Sequence, residues 1–507
     1  MRSSAAFSRV DARGDRISSK SPLAPLRILY ATPECAPLVK TGGLGDVAGA
    51  LPIALRRIGL DARVLLPGYR PVLAALPGAR DAGRIESFAR LPSARLLEAE
   101  LPQGVPAWIV DCPALYDRDG GPYQDAGGVD WEDNPLRFGL LSHVAARLAS
   151  AQSPVAWSAQ LVHANDWQTG LAPAYAALAL GGATPSIITI HNLAFQGSFA
   201  PHWVADLGLP ATSFAVDGVE YYGHLSFLKA GIFFANAITT VSPTYAQEIQ
   251  TEAMGMGLHG LLTTRRDSLT GILNGIDTTV WDPESDASIP ERYDATTLQR
   301  KAANKRALQI RFGLDPLGDV PLLGAVTRLT PQKGIDLLLD IVDAVLALPV
   351  QIVIVATGDK GLEQQLRALT AARPGHLASF IGFDETLAHL VEAGADAFVM
   401  PSRFEPCGLN QMYSQRYGTP PIVHATGGLV DSVVDCTPHS LAAGTATGFK
   451  FFAPNPEALK SAIARCVAAY RDPAVWRALQ RNGMARDFGW NTAAREYAAL
   501  YERTVSR

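Results

Sequence analysis

The sequence is poor in cysteine and has no excess of charge of one sign. Its 507 residues include five cysteines, which are scattered and form no Cys-x-x-Cys pair. The length of the chain excludes a small disulfide-stapled scaffold, while the scattered cysteines favour a reducing compartment and argue against a zinc site, so we assign no metal ligands. The net charge of -4 predicts neither a nucleic-acid partner nor binding to an anionic membrane. We therefore expect any anion site to be built locally.

The sequence also lacks an uninterrupted apolar run that could cross a membrane. An uncharged stretch over residues 167–190 contains prolines and paired glycines, so we interpret it as a buried helix, a turn and a strand. Residues 1–25 lack the apolar core of a secretory signal, and Asp11 and Asp15 disfavour a transit peptide. We predict that residues 1–25 form a disordered leader and that the protein is cytoplasmic.

Short apolar runs rich in β-branched residues alternate with longer helical stretches along the rest of the chain. This alternation is typical of parallel βαβ units. The predicted strands form two series, at residues 27–31, 62–66, 107–111, 161–163, 187–191 and 237–241, and then at residues 322–326, 351–356, 379–382, 397–400 and 422–424. We predict an α/β protein with two doubly wound parallel sheets, whose ligands bind beyond the carboxyl ends of the strands.

The first polar motif at such a strand end is Lys40-Thr41-Gly42-Gly43, which is followed by a helical pattern. Paired glycines allow a ligand to approach the backbone closely, and the start of the following helix offers amides to an anion. We therefore select Lys40, Gly42 and Gly43 as candidates for anion binding. An ordinary strand-to-helix turn is the alternative interpretation.

The second motif contains Arg328 and Lys333, in a loop after the predicted strand at residues 322–326. Two cations at a strand end could clamp a diphosphate, with a planar guanidinium and a compact ammonium group. Solvated surface charge is the alternative for each residue taken alone.

The third motif runs from Pro401 to Asn410 and again follows an apolar strand. Gly408, Leu409 and Asn410 would present amides at the start of a helix to a phosphate, and Glu405 could accept hydrogen bonds from sugar hydroxyls. The alternative is that Glu405 only stabilises the start of the helix.

The fourth motif consists of His163-x-x-Asp166-Trp167 and Thr189-x-His191-Asn192, each at the end of a predicted strand. Asp166 can bind hydroxyls, and His191 and Asn192 can donate hydrogen bonds to oxygens in a cleft. For either histidine alone, a buried side chain with satisfied hydrogen bonds is the alternative.

Together with Leu273-Asn274-Gly275, these motifs occur in the order typical of glycosyltransferase family 5, which contains bacterial glycogen synthases and plant starch synthases. The chain resembles this family from residue 26 to its C-terminus. The resemblance implies a GT-B fold, in which two Rossmann-like domains enclose the active site. The implied units are an N-terminal domain over residues 26–273, a C-terminal domain over residues 274–484, and a segment over residues 485–507 whose helix crosses back to the first domain.

The resemblance also implies a retaining glucosyltransferase that adds glucose from ADP-glucose to an α-1,4-glucan and needs no cofactor. The catalytic assignments that it implies are Glu405, Lys333, Arg328, His191 and Asp166. The substrate-binding assignments that it implies are Lys40, Gly42, Gly43, Asn192, Asn274, Tyr123, Phe383, Gly408, Leu409 and Asn410. Among these, Phe383 is expected to stack on adenine, and Tyr123 is expected near the donor sugar or the acceptor.

One position departs from the wider pattern of retaining GT-B enzymes. A second glutamate often follows the first by eight positions, and here Tyr413 stands there. The usual role of that carboxylate in gripping ribose therefore has no assigned residue. The sequence leaves open a UDP-glucose donor, another acceptor, a non-catalytic glucan-binding scaffold, and the oligomeric state.

Overall fold

A computed structural model describes residues 25–181 and 184–506. The predicted leader over residues 1–25 thus lies outside the described residues, except for Pro25. Among the described helices, none combines the length and the apolar character that a bilayer span requires.

The first lobe is built on a large twisted sheet, with a small sheet beside it. Within the described residues, the large sheet has nine strands in the order β12-β11-β7-β6-β1-β2-β5-β4-β3, and the small sheet has the order β8-β10-β9. The strands are β1 Arg27–Ala31, β2 Asp61–Pro67, β3 Arg80–Ile85, β4 Ala94–Glu100, β5 Pro106–Asp111, β6 Leu161–Asn165, β7 Ser186–Ile190, β8 Ser198–Phe199, β9 Glu220–Tyr221, β10 His224–Ser226, β11 Ala237–Thr240 and β12 Leu269–Gly271.

Helices cover the large sheet, whose central parallel strands are largely buried and apolar. They are α1 Gly43–Arg57, α2 Arg70–Ala75, α3 Pro113–Tyr116, α4 Asn134–Leu148, α5 Leu171–Ala179, α6 Trp203–Asp206, α7 Phe227–Phe234, α8 Pro243–Glu248 and α9 His259–Thr264. All six predicted strands of this lobe are present. The sequence prediction missed the antiparallel β3 and β4 at the edge, the small sheet, and β12.

The second lobe is a parallel sheet in the order β15-β14-β13-β16-β17-β18. Its strands are β13 Leu322–Leu329, β14 Gln351–Gly358, β15 Leu377–Ile381, β16 Ala397–Met400, β17 Pro421–His424 and β18 Phe449–Phe451. Its helices are α10 Lys301–Phe312, α11 Ile335–Asp340, α12 Val342–Leu346, α13 Lys360–Ala371, α14 Glu385–Gly394, α15 Asn410–Arg416, α16 Gly427–Ser432, α17 Pro438–Ala442, α18 Pro456–Tyr470 and α19 Pro473–Met484. The five strands predicted here are present, and β18 was missed.

The chain crosses between the lobes twice, and the two crossings touch. The amide of Ile276 donates to the carbonyl of Phe488 at 2.8 Å. After the second crossing, helix α20 (Trp490–Val505) packs against α1 of the first lobe. The predicted domain boundaries after residues 273 and 484 lie beside these crossings.

Candidate active site

Loops from the carboxyl ends of both sheets meet in one cleft. Asn192, just after β7, donates its side-chain amide to Oε1 of Gln332, just after β13, at 3.4 Å. A Cβ placed on Gly43 would lie 3.8 Å from Cδ1 of Leu409 in the opposite lobe. The two lobes therefore bring all four sequence motifs to the same cleft.

The Lys333 and Glu405 side chains form an ion pair on the second lobe. Nζ of Lys333 lies 2.6 Å from Oε2 of Glu405, with side-chain exposures of 19% and 6%. The Ser402 hydroxyl donates to the same carboxylate oxygen at 2.9 Å. Gly334 makes the turn before α11 at φ 63°, where a Cβ would lie 2.1 Å from the carbonyl of Pro401. Glu405 is thus held as a buried carboxylate by a cation and a hydroxyl.

The other second-lobe candidates lie in loops at the carboxyl ends of the same sheet. Arg328 lies near the end of β13 and is exposed. Gly408 has a φ of 71°, and Leu409 and Asn410 follow it into α15. The side-chain amide of Asn410 donates to the carbonyl of Val326 at 2.8 Å, so it ties α15 to β13. Phe383 follows β15 and is 71% exposed, with its ring free of the core.

Lys40 on the first lobe also pairs with a carboxylate, and this ion pair is more exposed than the one between Lys333 and Glu405. Its Nζ lies 2.7 Å from Oδ1 of Asp46, with side-chain exposures of 39% and 28%. Burial raises the pKa of Asp46 and outweighs the opposing effect of Lys40, and the nearby charges of Glu385 and Glu34 add to the increase. The ammonium group therefore remains accessible to a ligand beside a partly solvated acid.

Glu34 braces the loop that contains Lys40, and the sequence prediction missed it. Oε2 accepts the amides of Thr41 at 2.5 Å and Gly42 at 3.3 Å, and Oε1 accepts the Thr41 hydroxyl at 2.6 Å. The Tyr123 hydroxyl donates to the same Oε1. Glu34 lies three residues beyond β1, so the strand-end rule that selected Lys40 also applies to it.

Asp166 is a buried carboxyl group without a cationic partner among the described residues. Its φ of 59° is unusual for a residue other than glycine. Oδ1 accepts the amide of His191 at 3.3 Å. Burial raises its pKa to about 8, although hydrogen bonds from the amides of His191 and Asn192 oppose the increase; the charge of Glu34 adds to it. Asp166 is therefore largely protonated at neutral pH.

The hydrogen-bond network assigns the tautomer of His191. The side-chain amide of Asn165 donates to the carbonyls of Ala31 and His163, so Oδ1 of Asn165 faces Nε2 of His191 at 3.0 Å. Nε2 must then carry the proton, which leaves Nδ1 as an acceptor. Burial lowers the pKa of His191 to about 3, so the ring is neutral at pH 7.

His163 has a structural role instead. Its Nδ1 lies 2.8 Å from the Tyr501 hydroxyl of α20, and its Nε2 lies 2.6 Å from the hydroxyl of Thr189. Burial lowers its pKa to about 3. This is the buried, satisfied histidine of the alternative interpretation, and it joins the C-terminal helix to the first sheet.

Asn274, a candidate, and Tyr413, at the position of the second glutamate, have different surroundings. Asn274 is buried, and its Oδ1 has no hydrogen-bond partner among the described residues. Tyr413 stacks on Trp281 with ring centroids 3.9 Å apart, and Trp281 stacks on His389 at the same distance. The position of the second glutamate is thus occupied by an aromatic ring that packs against the segment between the lobes. In the part of the chain that is described, no three His, Cys, Asp or Glu side chains group as metal ligands would.

Comparisons with known proteins agree with this architecture. The model of the starch synthase catalytic domain family matches residues 27–264, and that of the glycosyl transferases group 1 family matches residues 308–481. A solved catalytic domain of starch synthase IV from Arabidopsis thaliana, bound to ADP and acarbose, is similar with a TM-score of 0.84 at 31% identity, over 95% of this chain and 100% of that chain. These findings define a GT-B glycosyltransferase, as predicted.

Curated relatives give the narrower assignment. The chain is 60% identical to a glycogen synthase from Aromatoleum aromaticum, over 94% of this chain and 97% of the relative. It is 54% identical to a glycogen synthase from Nitrosospira multiformis, with the same two coverages. The chain belongs to the glycogen synthase family, glycosyltransferase family 5. The predictions of this family and of an enzyme are confirmed.

Proposed function

We propose that this enzyme transfers glucose from ADP-glucose to the non-reducing 4-OH of an α-1,4-glucan, with retention at the anomeric carbon and release of ADP. The relatives named glycogen synthase support the glucan acceptor. The starch synthase structure bound to ADP and acarbose supports the adenine nucleotide and the oligosaccharide. Free thiols at all five cysteines support a reducing compartment, and we propose the cytoplasm.

The observation that carries the proposal is that the loops of the two lobes that meet at one cleft each contain cations. Lys40 comes from the first lobe, and Arg328 and Lys333 come from the second. A diphosphate between the lobes would contact positive groups on both sides. Such groups stabilise the leaving group more strongly as negative charge develops on its oxygen.

The sugar end of the site contains complementary hydrogen-bonding groups. The protonated carboxyl group of Asp166 can donate a hydrogen bond to a sugar hydroxyl, whereas Nδ1 of neutral His191 can accept one. Glu405 already accepts from Lys333 and Ser402. We assign it to binding sugar hydroxyls, and not to nucleophilic attack.

The proposed transfer proceeds on one face of the sugar. The bond between the anomeric carbon and the diphosphate oxygen breaks as the acceptor 4-oxygen bonds to that carbon. The acceptor proton passes to the departing phosphate oxygen, so no protein group forms a covalent intermediate. Contact between the lobes excludes water and suppresses hydrolysis of the donor.

The test is a comparison of initial rates with ADP-glucose and UDP-glucose on glycogen, with release of ADP or UDP measured. We expect transfer from ADP-glucose to be faster, with one nucleotide released per glucose incorporated. A higher rate with UDP-glucose would overturn the donor assignment. Absence of transfer from either donor would favour the non-catalytic scaffold.

A further inference from the structure

Glu34 is a buried carboxylate that no part of the proposed chemistry uses directly. It lies just beyond β1 and is 2% exposed. Four donors from two separate loops converge on it: the Thr41 and Gly42 amides, the Thr41 hydroxyl and the Tyr123 hydroxyl. We propose that Glu34 is a positioning residue, which holds the Lys40 loop and Tyr123 in the relative positions that donor binding requires. This inference rests on the proposed function.

The number of donors matches the number of acceptor sites. An ionised carboxylate offers about four lone-pair sites, and each oxygen of Glu34 receives two of the donors. A glutamine of the same shape would offer one acceptor oxygen and would turn an NH₂ group toward hydrogen-bond donors. The charge of Glu34 is thus required to satisfy all four donors at once.

This arrangement decides which loop amides remain for a ligand. The amides of Thr41 and Gly42 are already bonded to Glu34. Gly43 and Leu44 begin α1, and first-turn amides have no acceptor within their own helix. The phosphate contacts of this loop should therefore come from Gly43, Leu44 and the Lys40 ammonium.

The Glu34 carboxylate also determines whether the Tyr123 hydroxyl can donate or accept a hydrogen bond. The hydroxyl proton is committed to Glu34, so toward a sugar hydroxyl Tyr123 can only accept a hydrogen bond. Burial raises the pKa of Tyr123 well above its ordinary value, and the charge of Glu34 adds to this effect. Glu34 thereby links the loop proposed to hold the diphosphate to a residue proposed to contact sugar.

The test is Glu34→Gln, with Asp61→Asn as the matched control. Asp61 also accepts three side-chain donors, from Trp157, Arg56 and Arg63, but it lies at the opposite, amino end of β2. We expect Glu34→Gln to raise the KM for ADP-glucose about tenfold, through loss of charge-assisted hydrogen bonds, with the KM for glycogen unchanged. Asp61→Asn should leave both KM values unchanged, even if it lowers the melting temperature of the protein as much as Glu34→Gln does.

A double-mutant cycle with Tyr123→Phe tests the link between the two loops. If Glu34 positions Tyr123, the fold-change in KM caused by Tyr123→Phe should be several times smaller in the Glu34→Gln background. An unchanged KM for ADP-glucose in Glu34→Gln, or fold-changes that simply multiply, would overturn the inference. Lys40→Ala separates this result from failure of the proposed function. If the loop binds the donor, Lys40→Ala raises the KM whatever Glu34 does, and an unchanged KM in Lys40→Ala would count against the donor site itself.

Discussion

Two buried carboxyl groups face the cleft from opposite lobes, and they differ in their neighbours. Glu405 pairs with the Lys333 ammonium at 2.6 Å and accepts the Ser402 hydroxyl. Asp166 receives backbone amides and has no cation beside it among the described residues, and burial raises its pKa to about 8. Similar burial therefore accompanies an ion-paired acid on one lobe and, on the other, an acid whose pKa is raised. The neighbouring groups decide what each acid can do with a sugar hydroxyl.

Removal of the cation should have the largest effect. We expect Lys333→Ala to lower kcat/KM by about a thousandfold, because it removes a preorganised positive group from the developing diphosphate charge. It should also lower the free energy of unfolding by up to about 3 kcal/mol, because Glu405 loses its partner in a buried site. Initial rates and urea denaturation measure the two effects. Full activity in this variant would contradict the proposal that Lys333 binds the diphosphate.

Neutralising the charged acid should have the next largest effect. Glu405→Gln keeps the shape of the side chain but loses the charge that pairs with Lys333. We expect kcat to fall about a hundredfold, while the affinity for ADP changes much less, because the lost contacts are made to the sugar in the transition state. Steady-state rates and calorimetric titration with ADP provide the measurement. An equal loss of ADP affinity would show that Glu405 acts on the nucleotide instead.

The lysine on the first lobe provides a more exposed counterpart to Lys333. We expect Lys40→Ala to raise the KM for ADP-glucose about twentyfold, as expected for one lost charge-assisted hydrogen bond. Its unfolding free energy should change by less than about 1 kcal/mol, because the ion pair with Asp46 is partly solvated. Initial rates and urea denaturation of the Lys40→Ala and Lys333→Ala variants, measured in parallel, provide the comparison. An equal loss of unfolding free energy in the two variants would contradict the expectation that the Lys40 pair contributes less to stability.

The neutral acid should tolerate an isosteric neutral replacement. We expect Asp166→Asn to lower kcat only about tenfold at pH 7, because the amide can still donate to a hydroxyl. A loss of kcat ten times smaller than that in Glu405→Gln would support the difference between the two acids, and equal losses of kcat would contradict it. Rates measured in parallel for the two variants decide the outcome.

The same variant makes a prediction about pH and stability. The pKa of Asp166 is raised to about 8 in the folded state, from an ordinary value of 3.8. The stabilising contribution of the neutral form is therefore complete below the ordinary pKa and is lost as the pH rises toward 8. Asp166→Asn should lack this loss. Denaturation curves at several pH values would show a smaller decline for the variant, and identical declines would contradict the assignment.

The smallest effect is expected at Phe383. Its ring is 71% exposed and contributes little to the core. If it stacks on adenine, Phe383→Ala should weaken ADP binding about fivefold without a change in stability, and should narrow the preference for ADP-glucose over UDP-glucose. Calorimetric titration with ADP and UDP measures this. An unchanged ADP affinity would show that the ring does not contact the base.

The predicted strands of both lobes could be found because buried parallel strands are continuous apolar runs between turn signals. The antiparallel strands β3 and β4 were missed because both are rich in charged residues: β3 reads Arg-Asp-Ala-Gly-Arg-Ile and β4 reads Ala-Arg-Leu-Leu-Glu-Ala-Glu. The small sheet was missed because its strands are two or three residues long. Local pattern carries too little information for such elements, which depend on their pairing partners.

For the site, the strand-end rule selected Lys40, Asp166, His191, Lys333 and Glu405, which lie in or next to the loops that meet at the cleft. It did not separate His191 from His163, because the Tyr501 hydroxyl that occupies His163 lies in a helix distant in the sequence. It passed over Glu34 although that residue lies at a strand end, because a single carboxylate without its four donors has no distinctive pattern. The roles assigned to these residues stay predictions.

The amino-acid order alone determined the parallel strands of both sheets, the motifs at their ends and the family, because apolar runs and short motifs are local. Only the tertiary structure decided which acid pairs with a cation. Lys333 reaches Glu405 across 72 residues of sequence, whereas burial isolates Asp166 from any described cation. Burial and charge pairing depend on residues that meet only after folding, so the order of amino acids could not show them.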